Sequence, residues 1–378
     1  MTRAKTIVLD TVPHGTTLYS AEKNLEELLS LVQTAGGIVV EKIIQKRGRP
    51  SAKTFLGSGK IREAAEFCKE NHIELVIING SLKPHQYINL GKLFPKDIKI
   101  WDRIDLILKI FDRHAHSPEA KMQIQLARLH HEIPKIYARE STTLFERAGA
   151  GIGTRGAGEK GINEEKRHIR RQIKNTERKL EEFKKKQASQ RKARKKTGMP
   201  IVALVGYTNA GKSSLMKLLS KKERIEINDA LFVTLETKIG KVWLPDSGKS
   251  FLLADTIGFI RELPPELISS FETTLQEAKE ADLLLHVVDI SDPEYEKKIA
   301  VVHSILEEIG CNTIPQLFVF NKTDTAFGYS ESQKQKACFL PEKKFKNHRP
   351  TLTSVVNKTG TKELLSKIDQ ALFTASPE

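Results

Sequence analysis

The strongest constraint on how this chain folds is the run from Ile201 to Ser214. Ile201-Val202-Ala203-Leu204-Val205 is uniformly apolar and β-branched enough to be a buried strand. It runs directly into Gly206-Tyr207-Thr208-Asn209-Ala210-Gly211-Lys212-Ser213, which has the spacing GxxxxGK[ST], and Ser214 then opens a stretch with helical spacing. Strand, glycine loop and helix in that order place the loop at the carboxyl edge of a parallel sheet. There its backbone N–H groups and the helix N-terminus face the same point, and an anion is the natural occupant. The pattern predicts a phosphate-binding loop, with Lys212 on the β- and γ-phosphates and the Ser213 hydroxyl on Mg²⁺.

Further segments follow at strand ends. Leu252-Leu253-Ala254 leads into Asp255-Thr256-Ile257-Gly258. An acid at that position holds a magnesium ion through water, and Gly258 offers its N–H to a γ-phosphate with no side chain in the way. Gln316-Leu317-Phe318-Val319-Phe320 leads into Asn321-Lys322-Thr323-Asp324. This resembles the guanine-reading tetrapeptide of translation-factor-like GTPases. A carboxylate accepts only, so Asp324 selects a base that donates twice, as guanine does through N1–H and its exocyclic amine. Asn321 would brace the loop and the Lys322 stem would cover the base. Ser354-Val355, ahead of Asn357-Lys358-Thr359-Gly360, resembles the last guanine-contacting loop, with Val355 where alanine is usual. Thr234 is the candidate switch threonine that closes on Mg²⁺, with Thr237, or a strand role for Phe232-Val233, as the alternatives. Together these predict GTP and GDP as ligands, Mg²⁺ as cofactor, and Lys212, Thr234 and Gly258 as the catalytic set.

The residue after Gly258 is Phe259, where many small GTPases carry the glutamine that orients water. An aromatic ring can neither donate nor accept there, so intrinsic hydrolysis is expected to be slow and to need help from a partner. Asn209 sits where potassium-using relatives have an asparagine ligand; the alternative role is a loop-shaping hydrogen bond.

The N-terminal stretch alternates between strand and helix up to about Phe111, which predicts a parallel α/β layer. A helix begins near Pro118, with Met122, Leu126, Leu129 and Ile133 as its apolar stripe and Pro134 as its end. A second helix repeats Ile169, Ile173, Thr176, Leu180 and Phe183 at alternating spacings of four and three. Two such stripes are buried most economically against each other as an antiparallel pair. Six glycines between Ala148 and Gly161 form the bridge, read either as a flexible linker or as a loop laid against a phosphate backbone. The expected domains are 1–115, 116–197 and 198–378.

The chain has 378 residues and a net charge of +15. Fifteen Lys and Arg against five Asp and Glu lie between Glu164 and Lys196, so ten of those fifteen charges sit on one helix and its tail. A row of cations this dense suits a polyanionic partner. Cys68, Cys311 and Cys338 are too scattered for a disulfide framework or a metal cluster, which fits a cytoplasmic protein. No apolar run approaches the length of a membrane span, so peripheral membrane association has no segment to support it.

These motifs together resemble the HflX family of ribosome-associated GTPases. The resemblance rests on Gly206–Ser213, on Asp255-Thr256-Ile257-Gly258-Phe259-Ile260-Arg261, and on Leu56-Gly57-Ser58-Gly59-Lys60, Asp102-Arg103 and Gln123-Ile124-Gln125-Leu126-Ala127 in the N-terminal half. The bridge Gly151-Ile152-Gly153-Thr154-Arg155-Gly156-Ala157-Gly158-Glu159 is the most distinctive, although the family usually has proline at Ala157 and Thr-Gln at Lys160-Gly161. Asn79-Gly80-Ser81 also departs from a more acidic pattern. The resemblance implies binding to the large ribosomal subunit and its rRNA, and a role in splitting or rescuing stalled ribosomes. It also implies ATP binding by the N-terminal half, for which Gly57-Ser58-Gly59-Lys60 is the candidate and a tight turn the alternative. Some members carry a further C-terminal domain; the residues after Ser354 suffice for one final helix.

Overall fold

The computed structural model describes residues 4–148, 157–195, 198–220, 238–261, 272–325 and 350–374. Thr234 and Thr237, Cys338 and most of the glycine bridge lie outside these ranges. The chain forms two compact units, one of residues 1–113 with 121–181 and one of 114–120 with 182–378.

In the first unit, strands β1 (Ala4–Val12), β2 (Gly37–Lys46), β3 (Leu75–Ile78) and β4 (Lys99–Trp101) form a parallel sheet in the order β2-β1-β3-β4. Helices α1 (Leu18–Thr34), α2 (Ser58–Glu70) and α3 (Pro84–Leu93) make the crossovers, and α4 (Arg103–His114) follows β4. Parallel strands covered by helices need no polar face, and β3 is buried at every position. The alternation expected from the sequence is what forms.

Two long helices follow, α5 (Pro118–Ala148) and α6 (Ala157–Lys195). Within the first unit they run antiparallel, with Leu129, Ile133 and Ile136 packed on Ile169 and Ile173 and Lys166 lying 4.3 Å over the Tyr137 ring. Thr176 and Leu180 are buried as the stripe requires, while Arg167, Arg171, Lys174 and Arg178 are exposed. Pro134 does not end its helix, contrary to expectation. It lies on the exposed side of α5, where the carbonyl it deprives of an N–H is within reach of water, so the cost of continuing is small. The stripe is also displaced: Ile124, Ala127 and Gln123 are fully buried and Met122 and Leu126 only partly. The glycine bridge is shorter than the sequence suggested, because α6 already includes Gly158 and Gly161.

In the second unit, six strands form one sheet. These are β5 (Ile201–Gly206), β6 (Lys238–Trp243), β7 (Ser250–Asp255), β8 (Leu283–Asp289), β9 (Gln316–Asn321) and β10 (Thr351–Leu352), in the order β10-β9-β8-β5-β7-β6. Only β6 is antiparallel, joined to β7 through residues 244–249. Helices α7 (Lys212–Ser220), α8 (Glu272–Lys279), α9 (Tyr295–Glu308) and α10 (Thr361–Asp369) belong to this unit. β5 is flanked by β7 and β8, so the chain reverses its winding direction there. The carboxyl end of a strand at such a reversal is where open α/β sheets hold ligands.

Candidate functional site

The ends of β5, β7, β9 and β10 bring the sequence motifs together, because parallel strands deliver all their carboxyl ends to one edge. Gly206 closes β5 and Lys212 opens α7. Gly211 has φ +95°, and a Cβ there would lie 2.2 Å from Asn321 Nδ2; only glycine meets both conditions. Asn321 Nδ2 donates to the Ala210 carbonyl at 3.0 Å, which ties the Asn321–Asp324 segment to the glycine loop. Thr353 Oγ1 donates to Asn321 Oδ1 at 3.3 Å and fixes the amide from its other side.

The Lys212 ammonium is buried and donates to the carbonyls of Gly206 at 3.0 Å and Tyr207 at 2.8 Å. Burial pulls its pKa down to about 8, against the opposing pull of Asp255. The ammonium is thus folded back onto the loop's own carbonyls, a position that a phosphate would have to outbid. Ser213 Oγ donates to Asp255 Oδ2 at 2.7 Å. A hydroxyl and a carboxylate that converge in this way are hard oxygen donors of the kind Mg²⁺ prefers. Thr256 and Ile257 are buried, and Thr256 Oγ1 donates into the sheet at Leu204 O, 2.6 Å away. Their side chains therefore serve the core. Gly258 lies against the loop, since a Cβ there would stand 2.9 Å from Thr208 Cα and 3.0 Å from Lys212 Nζ. The Phe259 ring is buried, so it is withdrawn into the core.

The base-reading end is equally tied. Ser354 Oγ donates to Asp324 Oδ1 at 2.6 Å and accepts from Asn357 N at 3.0 Å. The Lys322 ammonium pairs with Asp289 Oδ2 at 2.7 Å. Val355 is partly buried against the core of the sheet, Asn209 is exposed with φ +60°, and Ser214 is half-buried in the first turn of α7. Asp289 and Thr353 were missed in the sequence, and Arg261 was read only as the end of the motif that begins at Asp255, with no role of its own. A signal existed for Asp289, which closes the apolar strand β8 as Asp255 closes β7.

Among the described residues, a second polar cluster joins α4 and α5 in the first unit. Asp102 and Asp105 cap the start of α4 reciprocally, and His131 Nε2 stands 3.2 Å and 3.3 Å from their carboxylates. Lys135 is 3.2 Å from Asp105. Burial alone would lower the His131 pKa, but the two carboxylates outweigh it and raise it to about 9. At Gly57 the amide donates to Gln45 Oε1 at 2.7 Å, and Lys60 pairs with Glu63 at 2.7 Å. Gly57 is the N-cap of α2, and Lys60 lies in its first turn.

Three family models match successive parts of the chain. They are the GTP-binding GTPase N-terminal region over residues 22–112, the GTP-binding GTPase middle region over 114–194, and the 50S ribosome-binding GTPase over 201–322. Among curated relatives, GTPase HflX of Caldanaerobacter subterraneus is 40% identical over 352 residues, covering 93% of this chain and 78% of its own length. GTPase HflX of Escherichia coli is 39% identical over 302 residues, covering 80% of this chain and 70% of its own. Among solved structures, the SsGBP and GDP complex superposes over 99% of this chain and all of its own, with 27% identity and a TM-score of 0.51.

Proposed function

The chain belongs to the HflX family of GTPases, and on that premise we propose that it is a ribosome-associated GTPase acting on the large subunit, splitting or rescuing stalled ribosomes. GTP binding and hydrolysis come with the family. The single observation that carries the site reading is the Asn321–Ala210 hydrogen bond, because it makes one body of the phosphate loop and the guanine pocket.

In that reading Gly206, Tyr207, Thr208, Asn209, Ala210, Gly211, Lys212, Ser213 and Ser214 cradle the phosphates. Asp324, with Ser354 behind it and Val355 beside it, reads guanine, and Lys322 covers the base. Family members generally use Mg²⁺, which Ser213 and Asp255 would hold here. Bound there, the ion would offset phosphate charge. Gly258 is the γ-phosphate sensor, and Thr234, outside the described residues, is the switch threonine of this proposal. With Phe259 withdrawn, that position supplies no side chain to orient water, so acceleration falls to rRNA, to another protein residue or to a monovalent cation held by Asn209. The exposed cations of α6 attract rRNA phosphate.

Sedimentation with ribosomes and a non-hydrolysable GTP analogue tests the reading. Co-migration with the large subunit is expected, and a protein that stays at the top of the gradient contradicts it. Hydrolysis compared in potassium and sodium, with and without Asn209→Ala, tests the cation; equal rates in both salts remove it. The Gly57 amide and the Lys60 ammonium have partners within the chain, as Lys212 does, so ATP at Gly57–Lys60 remains a proposal that nucleotide titration of the full chain tests. Among the described residues no helix is long and apolar enough to cross a membrane.

A further inference from the structure

The phosphate cradle uses backbone, so the side chain of the loop's second residue has no chemical task at the phosphates. In this chain that residue is a tyrosine, and it is buried. Its backbone lies in a parallel bridge with Phe259. Thr208 N donates to Phe259 O at 2.8 Å and Phe259 N donates to Gly206 O at 3.1 Å. Beyond the bridge the Tyr207 hydroxyl accepts from the Arg261 amide at 2.8 Å.

The contacts continue outward. Arg261 Nη2 donates to Glu294 Oε2 at 2.8 Å, and Lys297 holds the other oxygen of that carboxylate at 2.6 Å. Lys298 stands 4.8 Å above the Tyr207 ring and pairs with Asp292. The segment that follows Gly258 is therefore fastened twice, by backbone to the phosphate loop and by Arg261 to the start of α9.

We infer that Tyr207 is a positioning residue for GTP hydrolysis: its hydroxyl holds the Arg261 backbone while Glu294 holds the Arg261 side chain, and together they set the segment that carries Gly258 and keep Phe259 withdrawn. The inference rests on the site reading given above. A γ-phosphate sensor whose N–H is already near its working position incurs less ordering cost when the phosphate arrives. Removing the hydroxyl leaves the phosphate cradle and the guanine pocket whole but lets the sensor segment wander. Hydrolysis should suffer while GDP binding does not. Because Glu294 acts on the same segment, its loss should have the same effect, and the two losses should not add.

The test compares full-length protein with Tyr207→Phe, Glu294→Gln and the double variant, in single-turnover GTP hydrolysis, in KM and in GDP affinity. Each single variant is expected to lower kcat about fivefold, with KM and the GDP Kd within about twofold. The double variant is expected to lose little more than either alone. Unchanged kcat in Tyr207→Phe overturns the inference, and so does a fall in GDP affinity that matches the fall in kcat. If Tyr207→Phe does not fold, Glu294→Gln decides by the same criteria. A wild-type chain that turns over no GTP overturns the site reading itself, and the inference with it.

Discussion

Lys212 shows how a single residue is poised. Its ammonium is buried on two carbonyls and its pKa is lowered to about 8. In the unfolded chain the group titrates near the ordinary lysine value, so between these two pH values the folded protein binds fewer protons. Stability therefore gains from this group as pH rises from about 8 towards 10.5. Nucleotide binding works in the opposite direction, because phosphate favours the charged form. GTP binding is expected to take up a proton above about pH 8 and to weaken as pH rises through that value. Calorimetry in buffers of different ionisation enthalpy measures the uptake, and a pH-independent affinity contradicts it. Ser354 is poised by a charge-assisted hydrogen bond to Asp324. Ser354→Ala is expected to weaken GDP binding roughly tenfold, with Mg²⁺ dependence unchanged, as read by fluorescent-nucleotide titration.

At the scale of elements, the joint between α4 and α5 depends on charge. Asp102 and Asp105 cap one helix, while His131 and Lys135 reach them from the other. The raised His131 pKa means that its stabilisation is fully present below about pH 6.5 and is lost as pH rises through about 9. His131→Gln is expected to cost on the order of 2 kcal/mol near neutral pH and almost nothing at pH 10. Denaturant unfolding at the two pH values checks this, and an equal cost at both would mean that His131 acts by packing alone. Much of the element level was legible beforehand. The α6 stripe and the β5, β7 and β9 strands follow from periodicity and apolar runs. The extent of α5 past Pro134 was not legible, because tolerance of a proline depends on which side of the helix it faces.

At the scale of the whole molecule, charge is unevenly placed. α6 and its tail carry most of the net positive charge, and Lys174, Arg178 and Lys185 are exposed on that helix. Replacing these three with glutamine is expected to weaken ribosome binding and to flatten its salt dependence by about two units of logarithmic slope. Turnover of GTP alone should stay unchanged. Pelleting assays over a salt series give the slope, and an unchanged slope would move the RNA contact elsewhere.

The sequence by itself determined the kind of site. A glycine loop between strand and helix, an acid closing a strand, and Asn-Lys-Thr-Asp closing another are local patterns, each read within a few residues. It also determined the net charge and where that charge lies along the chain. Only the tertiary structure decided what those residues touch. The link from Asn321 to Ala210 spans 111 positions, and Ser354 meets Asp324 across 30. The Lys322–Asp289 pair and the tie from Tyr207 through Arg261 to Glu294 likewise exist only once the sheet order sets neighbouring strand ends side by side. Periodicity reports which face of an element is apolar, whereas a hydrogen bond between distant segments depends on sheet order and register, and no local stretch of sequence carries either.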